Sequence, residues 1–376
     1  MSATFDYLIV GGGPAAAREA LRLAGTDASV GLVSNGYGGC MKMMGDMALQ
    51  SYPNELELQP SPLRLRAYIE GMRMSPSGRE YATYITDLIH STNVTRMLGK
   101  VDFIERHGEL FVCHLSGGNG VAPITARRLI LATGLRPRDI PGAFMEVDAI
   151  NCFEAYTLLA APQTAAALAG KNVVIVGSGN SAFQIAALAS LVARSVCILS
   201  RGYLGLFPQE TGDRFALRAP SQLTIELIGK SMAEGGHSHA ITQDLITPVS
   251  FLVYRDLMRD ASGCRAIFHE ADNHCHIARL SWRYAVERRI VTRLAEPQLW
   301  HGVFPRDQTI FISAIGVTAN LPDSQWRLLD DTTRFVSHDE GRTAIPNLFI
   351  AGTVGGCRSV NTMAYPPVGQ REPFLN

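Results

Sequence analysis

The chain has 376 residues, which at about 150 residues per domain corresponds to two domains. Its hydrophobic content of 47% excludes global disorder, and the balance of 34 basic against 34 acidic residues leaves no field that would attract nucleic acid or anionic lipid. No apolar run approaches the ~20 residues that cross a bilayer, and the seven scattered cysteines contain no CxxC pair. The start of the chain also lacks the basic segment of a secretory signal, so we expect a reduced, cytoplasmic protein without membrane or nucleic-acid partners.

The first predicted unit is a strand, a glycine turn and a helix. Residues 5–10 (FDYLIV) are apolar, residues 11–16 read GGGPAA, and a helical pattern rich in alanine and leucine continues to about Leu23. A second apolar run, 30–34 (VGLVS), follows at the distance of the next parallel strand. This pattern is typical of a nucleotide-binding unit, in which the turn and the positive end of the helix bind a phosphate group.

The stretch that follows predicts a small antiparallel β meander and a linker. Between residues 101 and 126 apolar and polar residues alternate around two glycine-containing turns. A buried strand then ends in Ala132, Thr133 and Gly134. The segment 136–142, rich in proline and glycine, is expected to connect to a second domain.

A second strand–turn–helix unit starts at residue 171. Residues 171–176 (KNVVIV) predict a strand, 177–182 (GSGNSA) a turn, 183 to about 192 a helix, and 195–200 the next strand. One such glycine motif is weak support for nucleotide binding, whereas two copies in matching contexts are strong support.

Two further buried strands, 307–316 and 347–353, close the second and first units, respectively. The expected fold class is therefore α/β, with two Rossmann-like three-layer domains and a small antiparallel meander. The second domain, 145–315, is inserted into the first, 1–144 with 316–376. Its segment 203–270 exceeds a minimal unit and either shapes substrate access or decorates the periphery. The histidine-containing stretches lack a matching second ligand pair, so no metal site is predicted.

The two glycine turns define the first group of candidate cofactor-binding residues. In each turn the first glycine allows the tight bend, the second lets the phosphate approach the backbone, and a third small residue lets helix and strand pack closely. The candidates are Gly11, Gly13, Pro14, Ala15 and Ala16 in the first turn, and Gly177, Gly179, Asn180, Ser181 and Ala182 in the second.

The end of the second strand in each unit selects the nucleotide. An acid there binds the ribose hydroxyls, whereas a basic residue pairs with a 2′-phosphate. The second unit has Ser200 and Arg201 at this point, which favours NADPH over NADH unless Arg201 is only a solvated surface residue. The first unit has Ser34 and Asn35, whose neutral hydrogen bonds to a ribose are weaker than those of an acid.

The stretches 11–16, 132–134, 177–182 and 347–352, in this order, resemble the two-dinucleotide-binding-domain flavoproteins. That superfamily includes thioredoxin-reductase-like enzymes and the class B flavin monooxygenases with their N-hydroxylating relatives. The resemblance covers nearly the whole chain, and residues 170–182 are especially similar to the monooxygenase branch.

The resemblance implies FAD in the domain formed by 1–144 and 316–376, NADPH in the domain 145–315, and hydride transfer between the two cofactors. Homodimers would be unsurprising in this architecture. The resemblance also completes the set of cofactor-binding candidates, which gains Ala132, Thr133, Gly134, Gly316, Gly352 and Thr353.

Departures from the family pattern separate its branches. Dithiol reductases carry a redox-active cysteine pair near the flavin, but no second cysteine follows Cys40 at short range, and two-thiol exchange needs a resolving partner. The missing pair disfavours dithiol reduction, and the resemblance to the N-hydroxylating branch then implies a monooxygenase that oxygenates a small nucleophilic substrate, such as a nitrogen compound, through a flavin hydroperoxide. The alternative is an NADPH-dependent reductase or dehydrogenase acting on a thiol, disulfide, quinone or electron carrier. Because Ser34 and Thr353 replace acidic flavin contacts, a third alternative is a nucleotide-binding or redox-sensing protein without turnover.

Two residues are candidates for a catalytic role. Cys40 is expected near the flavin ring, where it is either a reactive thiol, alone or paired with Cys357, or an inert packed residue. Asn151 stands roughly where the monooxygenase branch has a histidine. The methionine-rich stretch 41–47 either lines an apolar substrate pocket or fills the core.

Overall fold

The structure is a computed structural model that describes residues 4–47, 49, 53–59, 61–116, 122–139, 149–177, 180–189, 191–199, 251–253, 266–269, 274–282, 284–287, 290–293 and 298–356. Its contacts divide the chain into two compact units, Met1–Arg136 with Thr318–Asn376, and Pro137–Val317. Most of the predicted insertion 203–270 lies outside the described residues. No helix in the described part of the chain is long and apolar enough to cross a membrane.

The helices and strands follow the expected α/β pattern. The helices are α1 (Pro14–Leu23), α2 (Pro53–Leu56), α3 (Gly78–His90), α4 (Cys152–Leu159), α5 (Pro162–Ala165) and α6 (Asn180–Ala189). The strands are β1 (Thr4–Val10), β2 (Val30–Ser34), β3 (Thr95–Leu98), β4 (Val101–His107), β5 (Leu110–Leu115), β6 (Ile124–Leu131), β7 (Leu135–Pro137), β8 (Ala149–Asn151), β9 (Asn172–Val176), β10 (Ser195–Leu199), β11 (Phe251–Val253), β12 (Ala266–His269), β13 (His274–Trp282), β14 (Tyr284–Glu287), β15 (Ile290–Arg293), β16 (Gln298–Pro305), β17 (Thr309–Ser313), β18 (Val317–Ala319), β19 (Asp323–Ser324) and β20 (Leu348–Ile350).

The first unit is built on an eight-stranded sheet in the order β19–β4–β5–β6–β1–β2–β3, with β20 paired to β6. Strand β1 runs parallel to both β2 and β6, and β20 runs parallel to the second half of β6. The first residues of β6 instead pair antiparallel with β5, which pairs antiparallel with β4. These antiparallel pairs confirm the meander predicted over residues 101–126.

Strand β1 is buried on both faces, as expected for a parallel sheet covered on each side. Tyr7 and Ile9 face a core that includes buried residues of α1 and α3, whereas Leu8 and Val10 face a second core with residues of β4–β6. Alanines on α1 let this helix pack closely on the sheet. The α3 helix begins with a capping box, in which Ser77 and Glu80 satisfy each other's backbone N–H groups.

The second unit contains a parallel sheet in the order β10–β9–β17–β8. A second sheet pairs β13 antiparallel with β11, β12 and β16, and β14 pairs antiparallel with β15. His269 ends β12, and the nearby residues His274, Cys275 and His276 lie on β13, which pairs antiparallel with it. No group of side chains suited to hold a metal ion occurs among the described residues. The parallel sheets confirm the Rossmann-like α/β fold class.

Candidate cofactor-binding sites

Predicted cofactor-binding residues of the first unit lie at one edge of its sheet. Strands β1, β2, β6 and β20 form one parallel set, so their carboxyl ends meet at the same edge. The turns that leave these ends carry residues 11–16, 34–35, 132–134 and 352–353. Ligands of open α/β sheets bind at this edge. The fold therefore brings together four segments that are distant in sequence.

The turn after β1 requires glycine. Gly11 has a φ of +131°, and a Cβ added there would lie 2.2 Å from the carbonyl oxygen of Ala132. A Cβ on Gly13 would approach the Cα of Gly39 to 3.4 Å. The α1 helix starts at Pro14, and Ala16 is fully buried. These positions match the roles expected of a phosphate-binding turn that opens a helix.

The turn after β2 is hydrogen-bonded to the glycine turn after β1. The backbone N–H of Gly38 donates to the carbonyl oxygen of Gly12 at 2.8 Å. Ser34 is buried, and its Oγ donates to the carbonyl oxygen of Gly36 at 2.6 Å. Asn35 is exposed. The two neutral residues predicted to bind the ribose therefore have different environments.

Thr133 presents an unsatisfied polar group in the turn after β6. Its Oγ1 is buried and has no hydrogen-bond partner in the described part of the chain. A buried hydroxyl left without a partner is costly, so such a group points to a strained or functional position. We call the turn of Gly11 and Gly13, with Gly11 packed against Ala132, the glycine cradle of this unit. Together with this cradle, Thr133 gives the edge a chemistry that fits a bound dinucleotide.

The turn after β20 is held by a histidine that sequence reasoning missed. His338 accepts a hydrogen bond at Nδ1 from the N–H of Gly341, at 3.2 Å, so Nε2 carries the proton and donates to the carbonyl oxygen of Gly355, at 3.3 Å. The N–H of Val336 donates to the carbonyl oxygen of Val354 at 3.0 Å. These bonds orient the turn that carries Gly352 and Thr353. No sequence motif around His338 could have indicated this role.

Cys40 starts a 3₁₀ turn, Cys40–Met44, directly after Gly39. Part of its surface is exposed, yet its Sγ lies deep enough among protein atoms that desolvation raises the pKa of the thiol. The thiolate, which is the reactive form, is therefore disfavoured at neutral pH. Cys113 and Cys152 are the other cysteines whose side chains the structure describes, and both are buried elsewhere. Cys357 lies outside the described residues.

The second unit repeats the cradle of the first. Gly177 has a φ of +115°, and a Cβ there would lie 2.3 Å from the carbonyl oxygen of Ala314. The N–H of Ala314 donates to the carbonyl oxygen of Val176 at 2.7 Å, just as the N–H of Ala132 donates to that of Val10 at 2.8 Å. The segment that follows β17 thus has the same relationship to its glycine turn as the segment that follows β6.

Other predicted residues of the second unit are placed as follows. Ala182 is fully buried on α6, and Gly316 has a φ of +103°. Ser313, at the end of β17, has a buried Oγ with no partner in the described part of the chain, a site that sequence reasoning missed. The predicted residues Gly179, Ser200 and Arg201 lie outside the described residues.

Two side chains organise the helices beside the second cradle. Asn151 is the N-cap of α4, where its Oδ1 accepts from the N–H groups of Phe153 at 2.9 Å and Glu154 at 3.0 Å. The Tyr156 hydroxyl donates to Oε1 of Gln184 on α6 at 2.7 Å. Burial is the main cause that raises the pKa of Tyr156 to about 12, so the phenol remains a donor over the physiological range.

Comparison with known proteins places these features in a family context. The model of the family described as pyridine nucleotide-disulphide oxidoreductase matches residues 5–233. One component of the alkyl hydroperoxide reductase of Pseudomonas aeruginosa is 30% identical over 191 residues, which are 50% of this chain and 32% of that protein. The match therefore spans about a third of the length of this curated relative.

Solved structures resemble nearly the whole chain. Thioredoxin reductase from Lactococcus lactis aligns with a TM-score of 0.57 at 18% identity, covering 96% of this chain and 94% of that one. A flavin-containing monooxygenase from Stenotrophomonas maltophilia aligns with a TM-score of 0.60 at 16% identity, covering 97% and 95%. At these identities the similarity shows the fold, which reductases and monooxygenases share.

Proposed function

Because this chain belongs to the pyridine nucleotide-disulphide oxidoreductase family, we propose that it is an enzyme that passes electrons from NADPH, bound by the second unit, to FAD, bound by the first. Family membership supports an oxidoreductase that uses a flavin and a pyridine nucleotide. The assignment of each cofactor to a unit, and of NADPH over NADH, is our proposal.

The repeated cradle carries this proposal. Gly11 lies against Ala132 as Gly177 lies against Ala314, and each glycine turn leads into a helix. Free N–H groups at the start of α1 would hold the pyrophosphate of FAD, and those at the start of α6 the pyrophosphate of NADPH. Thr133 Oγ1 supplies a polar group in the first cradle that no described residue satisfies.

We further propose that the flavin reacts directly with the oxidising substrate, without a cysteine relay. Bound FAD supplies two-electron chemistry and can activate oxygen. The chain itself supports direct reaction because desolvation raises the pKa of the Cys40 thiol, and Cys113 and Cys152, the other cysteines whose side chains the structure describes, are buried elsewhere. The form that we favour is a monooxygenase acting on a small nucleophilic substrate.

The second candidate is a reductase or dehydrogenase that delivers electrons to a quinone, a peroxide-reducing partner or another carrier. The 30% identity to a component of an alkyl hydroperoxide reductase favours this candidate, although the match spans 32% of that protein. A reductase uses the same two cradles and differs only in the electron acceptor.

Two assays separate the candidates. A monooxygenase consumes NADPH and oxygen together, and the amount of product formed per NADPH rises towards one when small amines are supplied. An oxygen electrode and product analysis measure these quantities. A reductase turns over anaerobically with an artificial quinone, and amines leave its oxygen consumption unchanged. A protein that binds both cofactors but turns over in neither assay contradicts both candidates.

A further inference from the structure

The turn after β2 is where this fold recognises the adenosine end of a dinucleotide, because the second strand of the nucleotide-binding unit ends there. An Asp or Glu at this point binds the ribose hydroxyls with a full negative charge. In this chain the position is occupied by Ser34 and Asn35. The adenosine end therefore meets neutral side chains at this turn.

The Ser34 hydroxyl is already engaged by its own turn. Its Oγ donates to the carbonyl oxygen of Gly36 at 2.6 Å and lies 3.3 Å from the N–H of the same residue. A Cβ added to Gly12 would approach this Oγ to 2.6 Å, so the phosphate turn packs directly against it. Ser34 thus stabilises the turn and offers no free donor to a ribose.

Asn35 has the opposite environment. It is exposed, and its amide makes no hydrogen bond to another residue in the described part of the chain. A side-chain carboxamide has an NH2 group that donates and an oxygen that accepts, which suits a pair of ribose hydroxyls. Position 353, where the family pattern implies an acid, is also neutral.

We infer that Asn35, and not Ser34, binds the ribose hydroxyls of FAD, and that this neutral contact leaves the flavin in exchange with free FAD. The inference rests on the proposed function, since it assumes FAD in the first unit. Neutral hydrogen bonds are about half as strong as charge-assisted ones. We therefore expect FAD affinity about tenfold below that of the same chain with a carboxylate at position 35.

The experiment is a titration of the flavin-free protein with FAD, followed by flavin fluorescence, and repeated after desalting. We expect the wild-type protein to lose flavin on desalting, Asn35→Ala to bind FAD about fivefold more weakly, and Asn35→Asp about tenfold more tightly. Competition by ADP, which shares only the adenosine end, should follow the same order. Asn93→Ala, at an exposed position before β3, is the matched control and should leave FAD affinity unchanged.

The outcomes distinguish this inference from the proposed function. If the wild-type protein keeps FAD through desalting, or if Asn35→Ala binds FAD as the Asn93→Ala control does, the inference is wrong while the proposed function stands. If no variant binds FAD at any concentration, the proposed function itself is wrong.

Discussion

Gly11 and Ala132, far apart in sequence, lie so close that a Cβ on the glycine would sit 2.2 Å from the carbonyl oxygen of Ala132. The pair lies where the parallel strands β1 and β6 end side by side. Gly177 and Ala314 repeat this relationship in the second unit, at 2.3 Å. The same close approach of a glycine turn to a neighbouring strand end thus occurs in both units.

The two glycines offer a matched pair of substitutions. Gly11→Ala forces a Cβ onto Ala132 and a strained φ, so we expect loss of FAD binding and a fall of about 2 kcal/mol or more in the free energy of unfolding. Gly177→Ala should abolish pyridine nucleotide binding while FAD binding remains. Isothermal titration of each variant with both nucleotides measures the two losses.

Gly25→Ala is the control for these substitutions, because a Cβ at Gly25 meets no atom within 4 Å. It should bind both nucleotides as the wild type does. Equal loss of both nucleotides in Gly11→Ala and Gly177→Ala would contradict the assignment of one site to each unit.

Thr133→Val tests whether the unsatisfied hydroxyl serves a ligand. The substitution removes a buried polar atom without a described partner, so the flavin-free protein should gain about 1 kcal/mol in the free energy of unfolding. FAD affinity should fall severalfold at the same time. Chemical denaturation with and without FAD measures both changes, and a variant that is less stable in both states would argue against a ligand-directed hydroxyl.

Asn151 has a structural role that two substitutions can separate from catalysis. Asn151→Ala removes the N-cap of α4 and should cost about 1 kcal/mol of stability, whereas Asn151→Asp keeps an N-cap acceptor and should retain both stability and turnover. Thermal unfolding and NADPH oxidation are measured in parallel. A stable Asn151→Asp protein that has lost turnover would instead assign Asn151 to the reaction.

Cys40 should react slowly with alkylating reagents at neutral pH. Because burial raises the pKa of its thiol, the protonated form persists in the folded protein above the pH at which an unfolded chain ionises. Deprotonation therefore favours the unfolded state as the pH rises through that window, and the alkylation rate of Cys40 should increase at a higher pH than that of the same cysteine in the unfolded chain. Mass spectrometry of protein pulsed with iodoacetamide measures this rate.

Cys40→Ser tests whether turnover needs the Cys40 thiol. The substitution should leave the rate of NADPH oxidation within about twofold of the wild type, since direct reaction at the flavin needs no thiolate. A loss of a hundredfold or more, with FAD still bound, would restore the thiol relay as the mechanism.

The sequence could predict those features that depend on residues close together in the chain. The strands before Gly11 and Gly177 are continuous apolar runs, and the glycines occupy positions that only glycine tolerates, so the fold class and the two glycine turns could be predicted. Ser34 could not be separated from Asn35, because which hydrogen bonds a side chain already makes depends on the folded turn. His338 carries no motif, since its contacts with Gly341 and Gly355 exist only after β20 is in place.

The central claim is that the two cradles hold two redox nucleotides that exchange electrons, and an anaerobic titration tests it most directly. The purified protein is incubated with excess FAD, and most of the unbound FAD is then removed. The protein is titrated with NADPH while the visible spectrum is recorded. We predict that the absorbance of bound flavin bleaches in proportion to added NADPH, and that Gly177→Ala abolishes this bleaching while FAD remains bound. Bound flavin that stays oxidised with both NADPH and NADH would contradict the claim.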